Sequence, residues 1–476
     1  MDLTLAGLVQ RHPVSCPPDT PMRAVLETMR REEIGAMIIA GPDRVPTGIL
    51  TLKDVLDRVA LPGSPWDDPV ASVMSASLVT LPRQASAQDA ALAKMVRGIH
   101  HVVLVEEGRL AGVVSDRDVS RRLGADLRHM GRAMRAARTD EELRVFGAAI
   151  HDTAHRMIAQ DAGAAQVTLV VTTMTDALTR QLVAREMASK AFGHIEVCWI
   201  AMGSEGRFEQ TLSTDQDNGI IFHCPDLPAD EVRAALLPAA RRVNEALAAA
   251  GFSLCRGGIM ACNPQCCLSL AEWQHRFADW IDVGDPKALL NATIFFDFKP
   301  ICGAVRLAVE LREWLSGYAA GNGRFLVQMT QNALENQPPL GLIRDFILTK
   351  RGEHPHTLDL KVNGITPFVD AARVYTLKAG GAQTSTIERL RAAGVSLKFD
   401  PATIESWIEA FLSIQSLRLR HQDALGRQNE SIHNHIDPGS LNEMQRRILK
   451  ESMRQGRRLQ LRLASDHSLG PAGGGA

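Results

Sequence analysis

The sequence predicts a multidomain chain in which an α+β repeat pair, an α/β domain and an all-α domain follow one another. Three observations predict it. A seven-residue pattern recurs after 64 residues, an apolar strand near residue 200 runs into a glycine turn and a second apolar strand, and apolar residues keep helical spacing from about residue 303. At about 100–200 residues per domain, 476 residues suit two to four such units.

Composition narrows the function classes. With 53 basic and 54 acidic residues, the chain lacks the positive field that nucleic acid or an anionic membrane would meet. Apolar residues make up 45%, which is ordinary for a folded globular chain, and no apolar run approaches the roughly 18 residues of a membrane span. The start Met1-Asp2-Leu3-Thr4 lacks the basic residues of a signal peptide, and eight cysteines are too few for a disulfide scaffold in a chain of this size. A cytoplasmic protein with reduced thiols is expected.

The repeat organises the first quarter. Gly48-Ile49-Leu50-Thr51-Leu52-Lys53-Asp54 returns as Gly112-Val113-Val114-Ser115-Asp116-Arg117-Asp118, and Ile34 to Ile39 returns as Ile99 to Leu104 at an offset of 65. Helical spacing precedes each copy, at Met22 to Arg31 and at Gln88 to Arg97. Each unit reads as extended segment, helix, strand, turn, strand, helix, the last helix opening on a Thr or Ser with Asp three residues on. These features resemble a tandem pair of CBS domains over residues 1–125, in repeats of about 1–62 and 68–125. The resemblance implies an adenine nucleotide between the repeats, its phosphate facing Thr51 and Ser115 and its ribose hydroxyls bonded by Asp54 and Asp118. Helix capping alone also explains the four residues. The resemblance also makes a homodimer through this pair plausible.

Residues 126–192 read as a helical connector, with apolar stripes at Leu143, Phe146 and Ile150 and at Leu178, Leu182 and Val183. Next comes the most informative block. Ile195 to Met202 has the length and apolar content of a buried strand. Gly203-Ser204-Glu205-Gly206-Arg207-Phe208-Glu209 and Gln210-Thr211-Leu212-Ser213-Thr214 follow, then Asp215-Gln216-Asp217-Asn218-Gly219-Ile220-Ile221-Phe222. Gly203 lets backbone approach a ligand, and Ser204 opens a helix whose free amides attract an anion. Asp215 and Asp217, two apart in the second strand, point to one face, with Ile220 and Phe222 facing the core. Paired carboxylates beside a phosphate-binding turn suit Mg²⁺ or a similar cation.

This block resembles the Gly-Ser and Asp-x-Asp signature of the nucleotidyltransferase superfamily, and more narrowly the DUF294 group related to the uridylyltransferase domain of PII-modifying enzymes. The resemblance implies a mixed-sheet α/β domain over residues 193–302. Its activity would be transfer of a nucleotidyl group from a nucleoside triphosphate, dependent on Mg²⁺ or Mn²⁺. Gly203 and Ser204 would hold phosphate and Asp215 and Asp217 metal. Arg207 and Glu209 would brace the loop, contact phosphate, or pair with each other. The superfamily supplies a third carboxylate from a later strand. Asp297, which interrupts the apolar run Asn291 to Lys299, is the candidate, the alternative being an ion pair with Lys299, which stands where the resemblance predicts Arg. Cys255, Cys262, Cys266 and Cys267 lack zinc-knuckle spacing and read as small buried residues.

The DUF294 resemblance continues through Leu358-Asp359-Leu360-Lys361 and Thr366 to Arg373 into a helical substrate-binding bundle over residues 303–465, ahead of a tail at 466–476. Asp359, Lys361 and Arg373 either line the cleft facing the transferase site or form internal ion pairs. The expected protein is a nucleotide-sensing transferase with an unidentified protein or small-molecule acceptor. The rival is a non-catalytic signalling protein that binds nucleotides and docks a partner.

Overall fold

The computed structural model describes residues 13–32, 34–60, 65–76, 78–83, 85, 99, 101–115, 139–187, 195–213, 215–284, 293–341, 346–348 and 353–467. The chain divides into two compact units, residues 1–132 and 133–476.

The first unit carries the repeat into its hydrogen bonding. Strands β1 (Ser15–Cys16), β2 (Ala36–Ala40) and β3 (Pro46–Thr51) form one sheet, with helix α1 (Met22–Arg31) between the first two and α2 (Leu52–Val55) after the third. Strands β4 (Thr80–Pro82), β5 (His101–Glu106) and β6 (Arg109–Ser115) form the other. In each, a parallel pair is followed by an antiparallel one, and the registers correspond: Ser15 faces Ile38 as Thr80 faces Val103, and Ala36 faces Thr51 as His101 faces Ser115. A bulge interrupts both antiparallel ladders, after Ile39 and after Leu104. Ile38, Val103 and Leu110 from the two repeats share one apolar cluster. The helix expected over Gln88 to Arg97 lies outside the described residues, as does Asp118.

In the second unit, α3 (Asp140–Ala159) and α4 (Ala164–Glu186) come first. A four-stranded mixed sheet follows, built from β7 (Glu196–Ala201), β8 (Asn218–His223), β9 (Cys267–Ser269) and β10 (Lys299–Gly303) in the order β10-β7-β8-β9. Short helix α5 (Gly203–Gly206) leaves the end of β7. Helices α6 (Ala229–Ala249), α7 (Leu270–Asp282) and α8 (Val305–Ala320) cover the sheet. Cys198, Ile200, Met202 and Ile221 pack with Trp273, Phe277, Leu307 and Leu311, while Trp199, Ala201, Ile220 and Phe222, of opposite parity, are equally buried. The alternation expected in β8 is therefore absent, because an inner strand covered on both faces buries every residue.

The pair read as a connector packs onto this sheet: α4 lies against α6 and β10, and Arg180 Nε donates to Ile301 O at 2.9 Å. Its buried residues run almost continuously from Val167 to Val183, as in an enclosed helix rather than a bridging one.

The helical part comprises α9 (Gly323–Glu335), α10 (Thr366–Lys378), α11 (Thr386–Ser396), α12 (Pro401–Arg427) and α13 (Glu443–Asp466). It is not purely helical: β11 (Leu358–Asp359) pairs antiparallel with β12 (His435–Ile436), and a π-helical turn, Leu360–Ile365, follows β11. No helix among the described residues is long and apolar enough to cross a membrane.

Candidate functional site

The site forms where β7 ends. Gly203 adopts φ +60°, a left-handed conformation that glycine enters without the Cβ penalty. A Cβ there would lie 2.9 Å from Ile294 and 3.0 Å from the Oδ2 of Asp217, so the turn leaves no room for a side chain and abuts the second aspartate. The carbonyl of Asp217 in turn accepts from Met202 N at 2.8 Å. Gly206 admits equally close backbone, since its Cβ would lie 1.7 Å from the carbonyl oxygen of Asp297.

Helix α5 closes in a Schellman motif: Glu209 N donates to Ser204 O at 2.8 Å and Phe208 N to Glu205 O at 3.1 Å. Its left-handed residue is Phe208, at φ 62°, where glycine is usual. The strain of about 1 kcal/mol or more is offset by packing, since the Lys299 ammonium sits 3.8 Å from the Phe208 ring centroid.

Asp215 and Asp217 precede β8 rather than lie in it. Asp215 is exposed, Gln216 buried and Asp217 half-buried, the alternation of extended chain. Gln216 explains their orientation. Its Nε2 donates to Asn244 O and Phe252 O at 3.0 and 2.9 Å, and Asn244 Nδ2 donates to Gln216 Oε1 and Asn218 Oδ1, both at 2.9 Å. With Gln216 and Asn218 drawn inward, both carboxylates face the opposite way, onto one side. Asp217 is pushed up to about 6 by burial, against the Cys255 thiol that donates to it and the Lys361 charge, while Asp215 raises it further. Cys255 thus touches a proposed ligand, which its reading as a small buried residue missed. The cysteines show no zinc arrangement, and among the described residues no group of three or more His, Cys, Asp or Glu could hold a metal ion.

Asp297 does not complete a metal cage. It lies between the turn Thr293–Phe296 and β10, not on a strand, and is 0% exposed. Its Oδ1 accepts from Arg373 Nε at 3.0 Å and Arg389 Nη1 at 2.6 Å; its Oδ2 accepts from Arg207 Nη1 at 2.7 Å and Arg373 Nη2 at 2.6 Å. Burial alone would raise its pKa, but Arg373, Arg389 and Arg207 hold the carboxyl well below the usual range. Four guanidinium N–H groups occupy the lone pairs a cation would need. Nor does Lys299 pair with it: the ammonium bonds Asp176 Oδ2 at 2.5 Å. Beside that pair, burial and Asp176 push Glu205 well above its ordinary range, while its Oε2 accepts from Gln210 Nε2 at 3.3 Å.

Other predicted residues sort themselves. Arg207 and Glu209 do pair, at 2.8 Å, in the interior. The second oxygen of Glu209 accepts from Thr386 N at 2.8 Å, capping α11 of the helical part. Ser204 is half-buried on α5. Arg373 belongs to the Asp297 cluster, and Asp359 accepts from Lys361 N and Val362 N at 2.8 and 3.0 Å. Of the three substrate-domain candidates only Lys361 faces the aspartates; burial and Arg418 lower its pKa against the pull of Asp217 and Asp215. In the first unit Asp54 Oδ2 accepts from Thr51 N at 2.9 Å and Thr51 Oγ1 at 2.6 Å, while Arg58 approaches Oδ1 at 3.3 Å. Ser115 ends β6 in the place that Thr51 holds at the end of β3.

Comparison with known proteins agrees with this layout. Family models match in three places: CBS domain at residues 5–61 and 70–125, Putative nucleotidyltransferase DUF294 at 148–287, and Putative nucleotidyltransferase substrate binding domain at 323–467. An uncharacterized protein of Methanopyrus kandleri is 24% identical over 119 residues, 25% of this chain; the chain spans 61% of that relative's length. A CBS domain protein from Pyrobaculum aerophilum complexed with AMP is 27% identical over 24% of this chain and 89% of that one, with a TM-score of 0.23. A CBS-domain containing protein from Agrobacterium tumefaciens is 25% identical over 26% and 96%, with a TM-score of 0.25. The chain thus carries, in order, tandem CBS domains, a domain matching Putative nucleotidyltransferase DUF294 and one matching Putative nucleotidyltransferase substrate binding domain.

Proposed function

We propose that this protein transfers a nucleotidyl group from a nucleoside triphosphate to an acceptor hydroxyl, under control of an adenine nucleotide at the CBS pair. The observation that carries the reading is the contact between the Gly203 turn and Asp217. It sets a phosphate-binding bend against two carboxylates on one face of the chain. Two protein carboxylates, with phosphate oxygens and water completing the shell, suit Mg²⁺ or Mn²⁺. What such an ion supplies is neutralisation of the triphosphate charge at the reacting phosphorus.

The protein's own part is to hold and orient. The α5 turn positions the phosphates, and Gln216 and Asn244 keep both aspartates aimed at them. The acceptor oxygen bonds to the α-phosphorus as the bond from that phosphorus to its bridging oxygen breaks. The electron pair leaves with pyrophosphate, and the acceptor proton passes to water. Thr51, Asp54, Ser115 and Asp118 are the proposed ligands of the regulatory nucleotide, and the matching positions of Thr51 and Ser115 at two strand ends support that part.

One observation favours the rival, non-catalytic reading: Asp297 is consumed by arginines, leaving two acids where the superfamily has three. Incubation with labelled nucleoside triphosphates, Mg²⁺ and cell extract separates the two. Transfer is expected from the wild type and not from Asp215→Asn; equal labelling by both removes the catalytic reading.

A further inference from the structure

Lys361, on an exposed turn, differs from the buried and half-buried cations of the second unit. Arg207, Arg373, Arg389 and Lys299 each close ion pairs. The Lys361 ammonium closes neither a hydrogen bond nor an ion pair with any described residue, although Asp217 and Asp215 are near enough to favour its charge.

Its position is nonetheless fixed. The backbone of the turn is bonded at Lys361 N and Val362 N by Asp359, and Leu360 N donates to Asn434 O at 2.9 Å. The side chain of Asn434 accepts from Arg418 Nε at 2.6 Å and from Gln422 Nε2 at 2.9 Å. Gln422, itself fully buried, accepts from Leu212 N at 3.2 Å, in the loop that runs from Ser204 to Asp215. One chain of hydrogen bonds therefore sets the Lys361 turn against the loop that carries the aspartates, while the ammonium itself remains unengaged at an exposed position.

We propose that Lys361 is the phosphate ligand contributed by the helical part, binding the non-transferred β- and γ-phosphates of the triphosphate held at the Gly203 turn. This rests on the transferase reading. The α-phosphate belongs beside the aspartates and their cation. The charge left over lies on the outer two phosphates, and it grows on them as pyrophosphate departs. A compact ammonium with three donors on a flexible stem suits that task, the phosphates needing a point charge rather than a planar fork. The same placement makes the helical part necessary for nucleotide binding, not only for the acceptor.

The test is calorimetric titration of the full chain with the Mg²⁺ complexes of α,β-methylene-ATP and α,β-methylene-UTP, and with AMP and UMP. The transferase site is the one whose binding disappears in Asp217→Asn. Lys361→Gln is expected to weaken triphosphate binding there about 10- to 100-fold, the range of a charge-assisted hydrogen bond, and monophosphate binding less than about threefold. Lys361→Arg should recover most of the loss. Unchanged triphosphate affinity in Lys361→Gln, or an equal loss for mono- and triphosphates, overturns the assignment. Absence of any Asp217-sensitive triphosphate site in the wild type removes the transferase reading itself, and the inference with it.

Discussion

Replacing Asp297 by asparagine tests whether its carboxylate is a structural hub. The native side chain accepts four charge-assisted bonds from three arginines, and asparagine keeps one acceptor oxygen while turning an amide donor toward guanidinium groups. Breaking a buried ion pair from one side costs about 3–5 kcal/mol, because the opposite charges stay buried. At a slope near 3 kcal/mol per molar, that lowers the urea midpoint by about 1–1.7 M. Fluorescence of Trp199 and Trp273, both buried in this unit, reports the transition. The pH dependence follows from the sign of the shift. A carboxyl held below its unfolded value near 3.9 stabilises fully above that pH, and its contribution fades as pH falls through and below it. The gap between wild type and variant should then be flat from pH 6 to 8. A midpoint within about 0.2 M of wild type, or a gap that changes between pH 6 and 8, refutes the hub.

Further expectations concern single residues. Glu205→Gln removes a buried carboxyl whose charged form burial and Asp176 both disfavour, so thermal melts should show a change within about 1 kcal/mol, whereas Asp176→Asn strands the Lys299 charge and costs about 3 kcal/mol or more. A Glu205 held above its ordinary value destabilises the fold as pH rises above the unfolded value of about 4.3, so Glu205→Gln should gain on wild type over that rise. Gly203→Ala should cost about 1–3 kcal/mol and weaken nucleotide binding, while Gly317→Ala, in open space on α8, should gain about 0.5–1 kcal/mol in the same melts. Asp54→Ala should lose about 1 kcal/mol from helix capping, and AMP titration decides its second role: unchanged affinity would reduce Thr51 and Asp54 to caps.

Much of the fold was legible because local pattern determines it. The repeat offset of 64–65 reappears in the strand registers, since matching alternation imposes matching pairing. The turn from β7 into α5 was legible for the same reason. What could not be read was the choice of partner across long separations. A charge inside Ile294 to Phe298 signals a special site, but of the arginines that claim it Arg207 lies 90 residues earlier and Arg373 and Arg389 come 76 and 92 residues later. Asp176 takes Lys299 from 123 residues away, so the neighbouring Asp297 loses the pairing that proximity suggested. The role of α4 was only partly readable: its buried residues fall on almost all sides, but Thr168, Thr172, Thr175, Asp176 and Thr179 are among them, so the sequence displays one apolar stripe rather than an enclosed helix.

These long-range pairs also decide how the transferase and helical parts behave. Asp297 with Arg373 and Arg389, Glu209 with the start of α11, and Leu212 with Gln422 all cross between them, and all are buried. Parting the two would expose apolar surface and leave charges whose partners stay behind, a cost of several kcal/mol for the Asp297 cluster alone. A hinge that opens on each turnover draws on elements of low stability, and this seam has the opposite character. The Lys361 turn and the loop that leads to the aspartates are accordingly held in one frame before any ligand arrives.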